Sequence, residues 1–364
     1  MTEQYRPDGP RLTVIGSLNN ALGSGSLKQL FADGSAEIAI GSAVASGFGV
    51  EAVKSLMTGE ANGRWWFVLA CVVGVGSIAY GFVRREHLRR RLQRQVRVGI
   101  VVTAADSARS LVYARQLDGQ AEAYSRSTCA ITIKSDVQLP TGGTAPGHLI
   151  EALADRTIEA MAMAEQLSPN AIQIDLIPTM RLHAAFWYGA RLGHTHSRSV
   201  MVHEPSHTGD TPSHFPAVRL IAGEPEAQPL TVHGVEPLSG GDPTLTALAL
   251  DLQARGEAFY APVRKTCQEE GIGNLLRLSS PVERLAENTE TFTAAVAQVC
   301  RAWIEAQLPD GARTGRHAIF LSGPVAVSVA LGARLASADH GRWTAYTYDP
   351  ANNTYEPFLS APTT

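Results

Sequence analysis

Ile174-Asp-Leu-Ile-Pro178 leads into a helical passage closing on Gly189-Ala-Arg-Leu192 and then into Val200-Met-Val-His-Glu-Pro205. The same order returns further on. Ile319-Phe-Leu-Ser-Gly-Pro324 leads into a helical passage closing on Gly332-Ala-Arg-Leu335, and then into Ala345-Tyr-Thr-Tyr-Asp-Pro350. An apolar run, a proline break, a helix ending in Gly-Ala-Arg-Leu and a second run ending in proline recur together. That is the mark of an internally duplicated α/β unit. Short β-branched runs bounded by turn residues read as buried strands. Strands alternating with helices imply parallel sheets covered by helices.

Working outward, the first half runs over residues 98–235. Its expected strands are Val98–Thr103, Cys129–Lys134, Ala171–Ile177, Ser199–Val202 and Ala217–Ile221. Helices are expected over 148–167 and from Pro178 through Leu192, and the stretch after Thr103 reads only as polar. The second half, 236–364, opens with Leu245–Leu250. Helices follow over 256–271 and 289–308, then a strand His317–Leu321, a helix over 324–337 and a strand Trp343–Tyr348.

Before this α/β region lies a different kind of sequence. Trp65 to Val83 holds no charged side chain over 19 residues, and Arg84-Arg85-Glu86-His87-Leu88-Arg89-Arg90-Arg91 follows at once. At about 1.5 Å per residue the run crosses most of a hydrocarbon core of about 30 Å. Trp65 and Trp66 mark one interface, and the arginines mark the other. A buried soluble helix rarely combines so long an uncharged run with an aromatic end and a cationic end. Seven arginines against one glutamate between Arg84 and Arg97 place that side, and the large C-terminal part, in the cytoplasm by the positive-inside rule. The expected location is therefore the inner cell membrane. Ile38 to Val50 is apolar or small but short, with Glu37, Glu51 and Lys54 as flanks. One crossing or two both fit: 36–56 is either the first arm of a hairpin or an interfacial helix. Gly74, Ser77 and Gly81 fall with Ala70 on one helical face, which suits close helix packing in lipid. Residues 1–35 are mixed and Gly/Ser-rich, and 84–97 form a basic linker.

Composition narrows the function. A net charge of −3 argues against a broad DNA-binding surface. The four cysteines (Cys71, Cys129, Cys267, Cys300) form no CxxC pair, which suits reduced thiols and excludes a cysteine zinc cage. Walker A, G-x-S-x-G and G-x-G-x-x-G signatures are missing. His203-Glu-Pro-Ser-His207 matches HExxH formally, but Pro205 disfavours the helix that zinc-protease chemistry needs. Six of the eleven histidines fall between His183 and His214, so a metal site and a solvated loop are both open readings there.

In an open α/β sheet, ligands bind beyond the carboxyl ends of the strands. Two units side by side make a composite cleft. The loops expected there are Thr103–Asp106, Pro178–Arg181, Ser322–Pro324 and the segment after Leu250. The candidate ligand-binding residues are Thr103, Thr179, Met180, Arg181, Phe259, Tyr260, Arg264, Lys265, Ser322, Gly323 and Pro324. Arg181, Arg264 and Lys265 are the candidates for phosphate. Phe259 and Tyr260, with Phe186 and Trp187, are the candidates for stacking on bases. The Gly-rich loop Thr141–Gly147 before a helix is a weaker phosphate candidate.

The region from about 95 to 360 resembles a SAVED domain. The carrying residues are Leu245–Leu250, Ala254-Arg-Gly-Glu-Ala-Phe-Tyr260, His317–Pro324 with Leu331-Gly332, and the aromatic ending Tyr346-Thr-Tyr-Asp349 to Tyr355-Glu-Pro-Phe358. The resemblance implies two fused CARF-like Rossmann units, in agreement with the duplication. It implies a sensor of a cyclic oligonucleotide, such as a cyclic trinucleotide or another small oligoadenylate ring, made by a partner nucleotidyltransferase in CBASS antiphage defence. The N-terminal part is similar to the transmembrane effector of TM–SAVED proteins. What this implies is a homo-oligomer formed on ligand binding and disruption of the lipid bilayer, with no cofactor and no catalytic residues. The alternative is a membrane-anchored enzyme, either a metal-dependent hydrolase or a nuclease that opens its own cyclic ligand.

Overall fold

The computed structural model describes residues 11–15, 69, 72–84, 86, 97–106, 111–139, 146–167, 173–194, 199–208, 213–221, 227–338 and 340–358. The chain divides into two compact units. One spans Met1–Ser17 with Arg97–Thr364, and the other spans Leu18–Val96.

The larger unit carries two six-stranded sheets of matching design. The first contains β1 (Arg11–Ile15), β2 (Arg97–Asp106), β3 (Ile131–Leu139), β4 (Gln173–Thr179), β5 (Ser199–Pro205) and β6 (His214–Arg219), in the order β1-β3-β2-β4-β5-β6. The second contains β7 (Thr231–Pro237), β8 (Asp242–Asp251), β9 (Ile272–Ser279), β10 (His317–Ser322), β11 (Trp343–Asp349) and β12 (Thr354–Pro357), in the order β7-β9-β8-β10-β11-β12. Each sheet has four parallel central strands and two antiparallel edges. Helices α1 (Leu111–Thr128), α2 (Pro146–Leu167) and α3 (Leu182–Leu192) serve the first sheet. Helices α4 (Glu257–Glu269), α5 (Thr289–Glu305) and α6 (Val325–Leu331) occupy the same places in the second. The repeat is complete, element for element, and the mixed α/β architecture expected from the sequence is present in both halves.

The central strands are buried on both faces, as parallel strands between helical layers must be. Val98, Ile100, Val101 and Val102 of β2 are fully buried, and so are Leu176 and Ile177 of β4. In the second half, Leu248, Leu275, Ile319 and Phe320 do the same work. Local chemistry sets the ends of the elements. Asn288 caps α5 by accepting a hydrogen bond from Thr291 N at 2.8 Å.

α3 and α6 form the layer shared by the two halves. Gly189 of α3 lies directly on the backbone of Val329, and Gly332, just after α6, lies directly on that of Phe186. These are the glycines of the two Gly-Ala-Arg-Leu repeats. Gly332–Ala336 continues α6 as a wider π-turn. Phe186 of α3 also reaches the second sheet, 5.7 Å from the Trp343 ring. Arg334 returns the contact by donating to Leu220 O at 3.2 Å.

Two edge strands depart from the expected boundaries. β7 belongs to the second sheet, so the divide expected after residue 235 falls inside this strand. β1 pairs with β3 from a stretch that reads as mixed and Gly/Ser-rich. α1 was unmarked because it is polar on most of its length and carries Gly119.

In the smaller unit, residues 72–84 are helical. Val72, Val73, Val75, Tyr80, Phe82 and Val83 point outward, while Gly74 and Gly81 are covered. Among the described residues no helix is long and apolar enough to cross a membrane. Most of the expected segments 36–56 and 65–83 lie outside the described residues apart from this helix.

Candidate functional site

The carboxyl ends of both sets of parallel strands open into one cleft with a volume of about 940 Å³. The first half supplies Thr179, Met180 and Arg181 after β4, and Glu204 to His207 at the end of β5. The second supplies Gln253 and Arg255 after β8, Ser322 and Gly323 after β10, and Tyr346, Tyr348 and Tyr355 from β11 and β12.

The loop after β8 is built by one buried carboxylate. Asp251 accepts from Gln253 N at 3.1 Å through one oxygen and from Gly256 N at 2.8 Å through the other. Ala254 and Gly256 both hold positive φ, at 50° and 58°. This tight loop carries Arg255 into the cleft, with its guanidinium carbon 5.9 Å from the centre of the Tyr348 ring. Gly323, at φ 152°, lies so close to Leu252 that a side chain there would overlap it. Ser322 donates to Gln253 Oε1 at 2.9 Å, joining the β8 and β10 loops.

The floor of the cleft is a contact between halves. Glu204 is buried and accepts from Val325 N at 3.2 Å and Ala326 N at 2.7 Å, the first amides of α6. Burial pushes its carboxyl up to about 7, against the lowering effect of those two bonds. Glu287 ties the loop after β5 to the second half, taking Ser206 Oγ at 2.6 Å, His207 N at 2.8 Å and Thr208 Oγ1 at 2.9 Å. His214 also lines the cleft. Burial, with His203 nearby, lowers its imidazole to about 4, and its Nδ1 has no hydrogen-bond partner among the described residues.

Behind the first sheet lies a buried polar cluster. Asp175 accepts from Gln173 Nε2 at 2.6 Å and pairs with His203 Nε2 at 3.1 Å, and Arg97 Nε lies 2.7 Å from the same carboxylate as an ion pair. Cys129 Sγ reaches the same carboxylate at 3.4 Å. Tyr124 OH meets the other ring nitrogen of His203 at 3.3 Å. Burial alone would raise the Asp175 carboxyl, yet His203, the adjacent Arg97 guanidinium and Gln173 hold it at about 2. Burial pushes the Cys129 thiol up to about 11, away from the range of a readily ionised cysteine.

Of the residues singled out from sequence, Thr179, Met180, Arg181, Ser322 and Gly323 line the cleft. Pro324 lines an adjoining cavity and precedes α6. Thr103 does not reach it: it is buried and donates to Asp118 Oδ1 at 2.7 Å. Phe259 and Tyr260 are core residues packed against Phe320 and Tyr355, so their faces are closed to a ligand. Phe186 and Trp187 are buried too. Arg264 is held by Glu236 and Glu257, and Lys265 lies beside Glu269 at 3.9 Å, both on α4 and outside the cleft lining. On α4 the aromatic pair turns inward to the core, while the Arg-Lys pair faces carboxylates on the surface. Most of Thr141–Gly147 lies outside the described residues. His203 and Glu204 lie on a strand and His203 points away to Asp175, so the HExxH passage lacks the helical face that the zinc-protease motif needs. Sequence reasoning missed Arg255, Gln253, Glu204 and the tyrosines as cleft residues. The signal for Arg255 was Asp251-Leu-Gln-Ala-Arg-Gly256, a carboxylate followed by a glycine turn.

No protein-family model and no curated protein matches the chain. Among solved structures it is similar to the Acinetobacter baumannii Cap4 SAVED/CARF-domain containing receptor with the cyclic trinucleotide 3'3'3'-cAAA, at 16% identity and a TM-score of 0.43. The same receptor with 2'3'3'-cAAA aligns at 15% identity and a TM-score of 0.42. Both alignments cover 82% of this chain and 59% of the receptor, so the chain spans less than two thirds of that protein's length. The Moraxella osloensis Cap4 SAVED/CARF-domain containing receptor aligns at 12% identity and a TM-score of 0.36, over 92% of this chain and 77% of that one.

Proposed function

We propose that the chain is a membrane-anchored SAVED-type effector whose cleft binds a cyclic oligonucleotide. The observation that carries the reading is the cleft itself. It opens at the carboxyl ends of two duplicated sheets, where α/β folds place ligands. Its volume of about 940 Å³ lies at the upper end of small-molecule sites, roughly 300–1,000 Å³, and suits a small cyclic oligonucleotide better than a mononucleotide. Each half brings one arginine, Arg181 and Arg255, for phosphates, and Tyr348 offers a ring for stacking. A ligand touching both halves holds them in one arrangement. The ligand is supplied by a partner nucleotidyltransferase, and DNA is not a partner.

Ligand binding then joins neighbouring C-terminal units. Tethering raises the local concentration of the attached apolar helices, and their small-residue faces associate in the bilayer. The outward valines and aromatics of residues 72–84, with Gly74 and Gly81 covered, support that reading of the N-terminal part. Bilayer disruption at the inner membrane is the output, in antiphage defence. The chain carries out no catalytic step of its own.

The test is binding of cyclic di-, tri- and tetranucleotides to the full chain in detergent micelles, with mass followed by light scattering and the ligand recovered afterwards. The reading expects tight binding of one class, an increase in mass and intact ligand. No binding by any member would reject it, and cleaved ligand would replace the receptor with an enzyme.

A further inference from the structure

Two edge strands of the duplication hold the same place. β7 pairs antiparallel with β9, and β8 lies parallel on the other side of β9. β1 pairs antiparallel with β3, and β2 lies parallel on the other side of β3. In the second half the connection between the flanking strands is a tight turn. β7 ends at Pro237, β8 begins at Asp242, and Gly240 between them holds φ at 81°. Leu238 N donates to Gly273 O and Asp242 N to Gly271 O, each at 2.8 Å, so the turn wraps the amino end of β9.

In the first half the same connection runs from Ile15 to Arg97 and holds the whole smaller unit. The register sets both of its ends at one end of the sheet. Ile15 stands opposite Thr132 and Val98 opposite Ile131, so the chain leaves β1 and enters β2 beside the first residues of β3. With one strand between them, the two points are about 10 Å apart, twice the usual strand spacing. The ligand cleft is at the other end, where the parallel strands finish. Arg11-Leu-Thr-Val-Ile15 suits its place, because threonine, valine and isoleucine favour strands.

We propose that the smaller unit is an insertion in the β1–β2 connection of the first repeat, and that β1 is the strap that fixes its leading end to the sheet. The start of β2 fixes the other end. The consequence for the bilayer rests on the membrane reading above. A segment fixed at both ends to one end of one sheet returns to the side it left, so it crosses a bilayer an even number of times. Trp65–Val83 then needs a returning arm. Of the two readings of 36–56, hairpin arm and interfacial helix, the strap selects the arm. A unit attached at Arg97 alone turns about its linker, whereas one closed at both ends follows the sheet.

The experiment uses the full chain in sealed membrane vesicles of both orientations. Arg11→Cys with Asp136→Cys places two thiols in register, where paired Cα atoms lie about 4.5–5.5 Å apart, within disulfide reach. Ile15→Cys with Asp136→Cys moves the first thiol along β1 by roughly 14 Å, beyond that reach. Mild oxidation is expected to bridge the first pair roughly tenfold more than the second. Peptide mapping separates these bridges from any that involve the native cysteines. Asp8→Cys and Ile304→Cys then report sidedness, Ile304 being 69% exposed. A membrane-impermeant maleimide is expected to label both in vesicles with the cytoplasmic face outward and neither in the opposite orientation. Equal bridging of the two pairs, no bridge in either, or labelling of the two positions from opposite faces would overturn the strap while the receptor reading stands. A chain recovered outside the membrane fraction would remove the membrane anchor, while the bridge between positions 11 and 136 still decides the strap.

Discussion

Gly189 and Gly332 make the same contact from the two halves of the duplication. A Cβ on Gly189 would overlap the Val329 carbonyl, and a Cβ on Gly332 would overlap the Phe186 carbonyl. One sequence offset separates Phe186 from Val329 and Gly189 from Gly332. The two halves therefore meet across a pseudo-twofold axis, as an isologous interface does between subunits. The repeated Gly-Ala-Arg-Leu is the footprint of that axis: glycine is needed where backbone meets backbone.

Gly189→Ala and Gly332→Ala should each destabilise the C-terminal unit. Overpacking of a core costs about 1–3 kcal/mol, and here the obstacle is backbone, which gives little. Gly119 in α1 has open space around its Cα. Gly119→Ala should instead stabilise by roughly 0.5–1 kcal/mol through helix propensity. Urea denaturation of the three variants separates the effects. A Gly189→Ala midpoint equal to that of the wild type would remove the close contact.

Asp175→Asn should cost about 3–5 kcal/mol, the usual loss when one partner of a buried ion pair is removed. Arg97 and His203 both lose their charged acceptor. The pH sign follows from the lowered carboxyl. A carboxyl at about 2 in the fold, against 3.8 as reference, adds stability that is present above 3.8 and lost as pH falls through about 2. The gap between wild type and Asp175→Asn should therefore narrow in acid. A gap that stays constant down to pH 2 contradicts it.

Glu204 works with the opposite sign. Its carboxyl is raised from 4.5 to about 7, so the folded state holds a proton that the unfolded state releases. Its stability contribution is greatest below 4.5 and falls as pH rises through about 7. Glu204→Gln removes that dependence and keeps one acceptor oxygen for the Val325 and Ala326 amides, a loss that is the same at every pH. The variant should gain on the wild type in melting temperature between pH 5 and pH 8. Parallel pH curves for the two proteins would show that Glu204 does not titrate there.

The duplication and the alternation of strands and helices were legible because buried central strands leave apolar runs, as Ile174–Ile177 and Ile319–Leu321 do. Edge strands were not, because they bury little. β7 is exposed or half-exposed along its length and carries Gly234. β9 is buried, but Gly273, Asn274 and Arg277 interrupt its apolar run. In the site, the residues after β4 and β10 were legible from strand-end position alone. Arg255 and Glu204 were not, since one is placed by the Asp251 loop and the other by a contact between halves. The burial of Phe259 and Tyr260 was not legible, because adjacency in sequence says nothing about which helix face meets the core.

The cleft arginines supply the direct test of where phosphates bind. Arg181 precedes α3 from the first half and Arg255 enters from the second. A hydrogen bond to a charged group is worth about 1.5–3 kcal/mol, or roughly 10–100-fold in affinity. Arg181→Glu and Arg255→Glu replace attraction with repulsion and should abolish measurable binding of cyclic triadenylate. Lys265→Glu reverses a charge of the same sign on α4, outside the cleft lining, and should leave affinity unchanged. The comparison excludes general electrostatic attraction, because all three variants change net charge equally. If Lys265→Glu weakens binding as much as the cleft variants do, the anion is drawn by the surface as a whole. If Arg181→Glu alone is silent, phosphate contacts come from the second half and the ligand does not bridge the two.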